Sequence, residues 1–351
     1  MQETMQENHV RFSKILFCYA GFLCLTVLIM VNSPIQAQTV PDDTVLSIAW
    51  SHDGQQVATG QADGTIKIWN ADTQTEFKTL LGHQQIITGL DWSPDDQKIA
   101  SASYDATSQV WDVSTGSSLH TFAHKDVVTD IMWTQDGRHL LTSIPFGPET
   151  LHLWDAETGK LLKTLGLGGS VADMTWNPNG DLLAVANAGG WMQIVEFSSF
   201  SLVSNFDENK ISAVTVAWSP DATYIVGANA LGEVKIFEAK TQTVIDSFKG
   251  TELPETFPLS GSIIALNFEN ETTLRTVTAN GSIQRWDILE GNLLQKAELG
   301  GFHAAAAWSP SLDQLAYGFL EIDEEGNFVQ SSAPDELGMT IPFPALEKNP
   351  N

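Results

Sequence analysis

The stretch DWSPDDQKIASASYDATSQVWDVSTG, Asp91 to Gly116, alternates short apolar runs with polar turns. Trp92 closes one run, SPDD turns the chain, QKIASAS is small and apolar, YDAT turns it again, and SQVWD leads into DVSTG. Runs of four to seven residues with β-branched and aromatic character, punctuated by Asp, Pro, Ser and Gly, read as strands and tight turns. A second reading competes with this one. Ser101 or Ser103, Asp105 and the upstream His83 in LGHQQ could be a nucleophile, an orienting acid and a base.

Recurrence decides between them. The unit that ends at Trp92 returns as IAWSHDG, IMWTQDG, MTWNPNG, VAWSPDA, LNFENET and AAWSPSL. The aromatics are Trp50, Trp92, Trp133, Trp176, Trp218, Phe268 and Trp308, spaced by 42, 41, 43, 42, 50 and 40 residues. Seven units at a period near forty mark a repeat architecture. Each unit continues through a small apolar run (QVATGQAD, LLAVANAG), a third run (TIKIWN, LHLWDA, SIQRWD) and a fourth (FKTLL, LLKTL, LLQKA). Four short strands per forty residues, repeated seven times with no sustained helical period after the N-terminal segment, predict an all-β chain. The architecture is a seven-bladed β-propeller of four antiparallel strands per blade.

The units resemble WD repeats, whose Trp-Asp pair here reads Trp111-Asp112, Trp154-Asp155 and Trp286-Asp287. Trp69-Asn70, Val195-Glu196 and Phe237-Glu238 stand as degenerate versions, and the likeness covers Val45 to Gly318. Membership implies that Asp, His, Ser or Thr, and Trp form a buried hydrogen-bonded network rather than a reaction site. On that reading His83, Ser101, Ser103, Asp105 and Trp111 of blade two hold the full set. Blade one keeps Thr59, Asp63 and Trp69, blade three keeps His124 and Trp154, and blade six keeps Trp286 with Asn280 in the Asp slot. No catalytic residue, cofactor or metal is expected. No Gly-x-Ser-x-Gly elbow occurs, and the acidic turn at Asp323, Glu324, Glu325 and Asn327 lacks the spaced carboxylates of an EF-hand loop.

Residues 1–37 read as an address. Arg11 and Lys14 precede the apolar run Ile15 to Val31, followed by Pro34 and the small Ala37, the parts of a cleavable secretory signal; an uncleaved anchor is the alternative. Both cysteines, Cys18 and Cys24, lie there, so a chain starting at Gln38 contains neither a disulfide nor a thiolate site. A short segment, 38–44, precedes the propeller core, 45–318, and 319–351 is expected to complete blade seven. There Asn327 to Ser331 would be the third strand and Met339 to Leu346 the fourth, rather than Thr39 to Thr44. The net charge of −26 excludes nucleic acid as a partner by repulsion of phosphate.

Binding is expected where turns depart from their minimal form. These places are Phe146 in the swollen turn Ile144 to Thr150, Trp191 after Gly189-Gly190, Leu253 and Phe257 in the long link Lys249 to Gly261, which is the preferred site, and the tail after Tyr317, with Phe302 as a further candidate. The sequence therefore points to an exported, monomeric, non-enzymatic scaffold for protein partners. The rival is a quinoprotein-like enzyme, suggested by WDAETGKLLKTL (Trp154 to Leu165), which lacks the docking Trp of such repeats. A sugar-binding propeller would need an aromatic repeated at one loop position, and Trp191 has no counterparts.

Overall fold

A computed structural model describes residues 41–187, 191–206, 213–229, 231–249, 262–311, 313–322, 328–329 and 337–340. The N-terminal address, Leu253, Phe257 and the acidic turn at 323–327 lie outside the described residues. Among those described, no helix is long and apolar enough to cross a membrane.

Six complete blades follow one plan. Blade one pairs Val45–Trp50, Gln56–Gln61, Ile66–Asn70 and Glu76–Leu80 in chain order, all antiparallel. Five more meanders repeat it, ending with Ile263–Phe268, Thr273–Thr278, Ser282–Asp287 and Asn292–Glu298. The turn after the first strand is tied by its own side chains. Ser51 Oγ donates to Asp53 Oδ1 at 2.7 Å and accepts from Gln56 N at 2.9 Å; Ser93 with Asp95 and Ser219 with Asp221 repeat the tie at 2.6 Å. These links satisfy turn groups that would compete with the ladder.

The Asp of each Trp-Asp pair has a related task at the next corner. Asp112 Oδ1 accepts from Thr115 N at 2.7 Å and from Ser114 Oγ at 2.6 Å, which holds its carboxyl down at about 2. Asp155 accepts from Thr158 N at 2.7 Å, and Asn70 from Thr73 N at 2.8 Å. This corner ends on a left-handed residue, Gly116, Gly159 and Gly291 in three blades but Gln74 (φ 56°), Phe200 (φ 52°) and Gln242 (φ 61°) in the other three. A side chain there costs energy that glycine avoids. Gln74→Gly and Gln242→Gly are expected to stabilise the fold by about 0.5–1 kcal/mol each after the extra entropy of the unfolded chain is subtracted. Thermal melts of the two variants check this.

Beyond the corner, each outer strand skips one residue opposite the third-strand partner. The extra residues are Phe77, Leu119, Leu162, Val203, Ile245 and Leu294, all exposed. A bulge on the outermost strand twists an edge that would otherwise be open to pairing.

Three of the recurrent first-strand tryptophans latch neighbouring blades. Trp92 Nε1 donates to the Ala49 carbonyl at 3.0 Å, Trp176 Nε1 to that of Trp133 at 2.9 Å, and Trp50 Nε1 to that of Ala307 at 3.0 Å. The last of these joins the first blade to the seventh sheet. Cores lie between blades: Ile66, Ile68 and Leu80 of blade one pack with Ile87, Trp92 and Trp111 of blade two.

The seventh sheet departs from expectation. Phe302–Trp308 pairs with Leu315–Ile322 in the usual way. Phe328–Val329 then pairs only with the far end of that strand, Glu321 and Ile322, forming a hairpin extension. Leu337–Thr340 runs beside Leu315–Gly318, taking the third position directly. The assignment of 327–331 as third strand and 339–346 as fourth is corrected accordingly; residues 341–346 lie outside the described residues. Residues 327, 330 and 331 lie outside the described residues; Phe328 and Val329 pair at the far end of the strand, whereas Gly338 lets the later segment lie against the Tyr317 ring, where an added Cβ would fall 2.2 Å from Cε2. The N-terminal alternative is not used by the described residues: Asp42 and Thr44 accept backbone bonds from Asp63 and Ala62 of blade one.

Candidate functional site

The acids and hydroxyls of the opening stretch form one chain of bonds. Trp111 Nε1 donates to Ser101 Oγ at 2.8 Å, Ser101 Oγ lies 2.7 Å from His83 Nε2, and His83 Nδ1 lies 2.8 Å from Asp105 Oδ2. Burial lowers the pKa of His83 against the opposing pull of Asp105, so the ring is neutral. Burial works against ionisation of Asp105, yet bonds from Thr107, Gln84 and His83 hold its pKa below the usual carboxylate value. The consistent protonation is therefore Trp111 to Ser101 to His83 to Asp105, each donating to the next. Ser101 has no exposed surface, so no substrate reaches its hydroxyl. Ser103 is equally buried and donates to the Gln85 carbonyl at 3.0 Å.

The other blades use fragments of this chain. Trp69 Nε1 donates to Thr59 Oγ1 at 2.9 Å, but Asp63 is exposed and only caps its own turn through Thr65. Trp154 Nε1 donates to Thr142 Oγ1 at 2.8 Å, and Trp286 Nε1 to Thr276 Oγ1 at 3.3 Å. His124 does not join the Trp154 chain. Its Nε2 lies 3.0 Å from Ser108 Oγ of blade two, and its ring packs against Trp154 and His152. The complete Thr-Gly-Lys turn of blade three is an ordinary corner, with Asp155 bound to Thr158 and with Leu161 and Leu162 exposed.

Three inner-strand aspartates escaped the sequence reading. Asp91 Oδ2 accepts from Trp133 N at 2.7 Å, and Asp173 Oδ2 accepts from Val216 N at 2.9 Å and Thr215 Oγ1 at 2.8 Å; each bond crosses to the next blade. Asp130, between them in the ring, accepts a backbone bond from Met174 of blade four. Gly89 makes room for it, since a Cβ there would lie 3.0 Å from Asp130 Oδ1. Burial raises all three pKa values, that of Asp91 to about 7, and the repulsion of Asp173 and Asp91 adds to the rise at Asp130. They work as clasps on the free inner edges of adjoining blades. An apolar strand with a single Asp, as in GLDW, TDIMW and ADMTW, was the available signal.

In a meander, second-to-third turns and fourth-to-first links emerge at one end of the strands and the other turns at the opposite end. The described turn 144–150 and the start of the strand at Phe302, both singled out for binding, therefore lie on one face. The three most exposed large apolar side chains among the described residues, Leu81 (71 %), Phe146 (60 %) and Leu231 (56 %), lie there too. The turn carrying Phe146 is braced: Ile144 N donates to Thr150 O at 2.9 Å, Thr150 N to Leu165 O at 3.0 Å, and Leu167 N to Thr150 Oγ1 at 3.2 Å. Pro148 presses its carbonyl so closely on Gly166 that an added Cβ would sit 2.1 Å from the oxygen. Phe302 is half-buried on the same face, and Trp191 opens the third strand of blade four.

The matching family model is described as the first β-propeller of IFT122, and it spans residues 44–254. Over 48 residues, 14 % of the chain, the sequence is 38 % identical to WD repeat-containing protein slp1 of Schizosaccharomyces pombe, and the match covers 10 % of that relative's length. The family match spans more than half of the chain and coincides with blades whose Trp-Asp corners and inter-blade latches are seen atom by atom. The chain belongs to the WD-repeat β-propeller family represented by the first propeller of IFT122.

Proposed function

We propose that this protein is an exported, non-enzymatic interaction module that holds protein partners on the face built by its second-to-third turns and fourth-to-first links. WD-repeat propellers generally bind protein partners, and the observation that carries the choice of face is the gathering of Leu81, Phe146 and Leu231 on it. Phe146 is the anchor. Its braced turn means that little conformational freedom is lost when a partner closes over the ring. The working unit is a monomeric, seven-bladed ring: core 45–318, preceded by a removed leader of residues 1–37 and the segment 38–44, and completed by 319–351. The buried Ser101 supports a binding role over a catalytic one.

Site-specific photo-crosslinking tests the face. A photoreactive phenylalanine analogue is introduced in the full chain at Phe146, Leu81 and Leu231, and at Leu289, an equally exposed apolar residue at an opposite-face corner. The expected result is one partner captured from the first three positions, with Phe146→Ala lowering capture at Leu81 at least tenfold. Capture from Leu289 with none from the other three would assign the opposite face. N-terminal sequencing of the secreted protein tests the leader, with Gln38 expected as the first residue.

A further inference from the structure

His124 and His152 meet at the joint of blades two and three, next in the chain to the turn that carries Phe146. His124 follows the outer strand Ser118–Ala123 of blade two, and its backbone N donates to the Ala106 carbonyl at 2.9 Å. His152 lies in the strand Leu151–Asp155, which leaves the Phe146 turn. The two rings stack, with centroids 5.6 Å apart and planes at 23°. Nδ1 of each ring is buried and has no hydrogen-bond partner among the described residues. His124 Nε2 lies 3.0 Å from Ser108 Oγ, and a backbone bond ties the His152 ring to Glu149, inside the turn itself.

We propose that this stacked pair is an acid-sensitive brace, whose protonation opens the joint and frees the turn that presents Phe146. Its regulatory meaning rests on the proposed role of Phe146 as anchor, whereas the opening itself does not. A neutral imidazole tolerates a bare lone pair at Nδ1, but a protonated ring places a charged N–H there and needs an acceptor. The surroundings are aromatic: Trp154 stands against both histidines at 5.1 and 6.1 Å, and Phe122 packs on Trp154 at 5.3 Å. Glu149 and Lys125 act on His152 with opposite sign, and both are exposed. The group that opposes charge on His124 is His152. Of the other titratable groups nearby, His120 packs on Phe122, and Asp126 accepts from Val127 N at 2.8 Å.

Burial holds both pKa values below the ordinary histidine value, that of His124 at about 3. The closed joint therefore keeps both rings neutral, and opening returns them to about 6.5. The brace is at full strength above that pH and weakens as pH falls toward the folded values. At pH 5 a released His124 alone favours the open joint by about thirtyfold, and His152 adds to it. The coupling to the turn is short. Thr150, two residues before His152, accepts from Ile144 N through its carbonyl and from Leu167 N through Oγ1, so displacing the His152 ring and its Glu149 bond disturbs the segment these bonds fix.

Native-state hydrogen exchange of the full chain tests the brace, in dilute urea that separates local opening from global unfolding. Corrected for intrinsic rates, the opening constants of the Ile144, Thr150 and Leu167 amides should rise more than about thirtyfold from pH 7.5 to pH 5. His124→Gln should cut that rise at least tenfold. Imidazole nitrogen NMR of the unaltered chain guards against misfolding of the variant: both rings should stay neutral at pH 5, and either one titrating near 6.5 in the closed chain would overturn the brace. Opening constants that do not rise would overturn it as well. Exchange needs no partner, so the two readings fail separately. A rise without photo-capture at Phe146 supports the brace and removes the docking face; capture without a rise removes the brace.

Discussion

Ser101→Ala is expected to cost about 3 kcal/mol, because it removes the one atom that both receives the Trp111 proton and reaches His83 Nε2, leaving two buried polar groups orphaned. Each orphaned group costs roughly 1–3 kcal/mol, and no water reaches a hydroxyl with zero exposure to replace it. Thr59→Ala in blade one, where the Trp bond stands without a histidine, should cost about half as much. Urea denaturation of both variants separates the values. If the two losses are equal, the bond chain through His83 adds nothing, and its residues are held by packing alone. A double variant, Ser101→Ala with Trp111→Phe, should lose less than the sum of its parts, since an apolar pair leaves one orphan fewer. Native-state hydrogen exchange should show the slowest amides in the strands around Ser101 and Trp111.

Lowering the pH from 8 to 6.5 is expected to stabilise the ring. Asp91, Asp130 and Asp173 have folded pKa values raised above the unfolded value by burial, so the folded chain takes up protons that the unfolded chain does not. Stability from such groups grows as pH falls through the folded pKa and is lost as pH rises. For Asp91, moved from 3.8 to about 7, the gain between pH 8 and pH 6 is about 1.4 kcal/mol. The other two clasps add to it. Below pH 6.5 the histidines oppose the trend. His83, His124, His152 and His303 have lowered pKa values through burial, so the unfolded chain then binds protons that the folded chain refuses. The melting temperature should therefore peak near pH 6. His52 acts on Asp91 from the neighbouring blade and lowers its pKa slightly. Asp91→Asn should flatten the rise between pH 8 and 6.5; a variant that melts with the parent's full pH slope would remove Asp91 from the account.

The repeat was legible because its spacing marks a physical part. An aromatic ends the first strand of each blade at the joint with its neighbour, and Trp50, Trp92 and Trp176 also latch there, so the recurrence announced both period and architecture. The blade-two chain was legible for the same reason, since its members occupy fixed slots. Neighbours across a joint were not. His124 carries the family's slot but bonds to Ser108, and His152, inside the plain strand LHLWD, has no slot to mark it. The inner aspartates hid at two different strand positions, three residues before the aromatic in Asp130 and Asp173 but one before it in Asp91. The tail failed for another reason. Its short, weakly patterned strands give no register, and only the fit of Gly338 beside Tyr317 distinguishes the segment that pairs.

Blade one draws all four of its strands from a single stretch, Val45 to Leu80, and borrows none from the far end of the chain. A polypeptide that emerges N-terminus first can therefore finish its opening sheet before any later sheet exists, and each newcomer docks on a surface already in place. Local pairings of this kind form quickly, whereas distant ones wait. The long-range commitment is the joint of blade one with the seventh sheet, where Trp50 bonds to Ala307 across 257 residues and Trp50 and Trp69 pack with Ala316. Folding then resembles winding a spring washer, in which the coil is laid down in order and the last event is the snapping shut of a single gap.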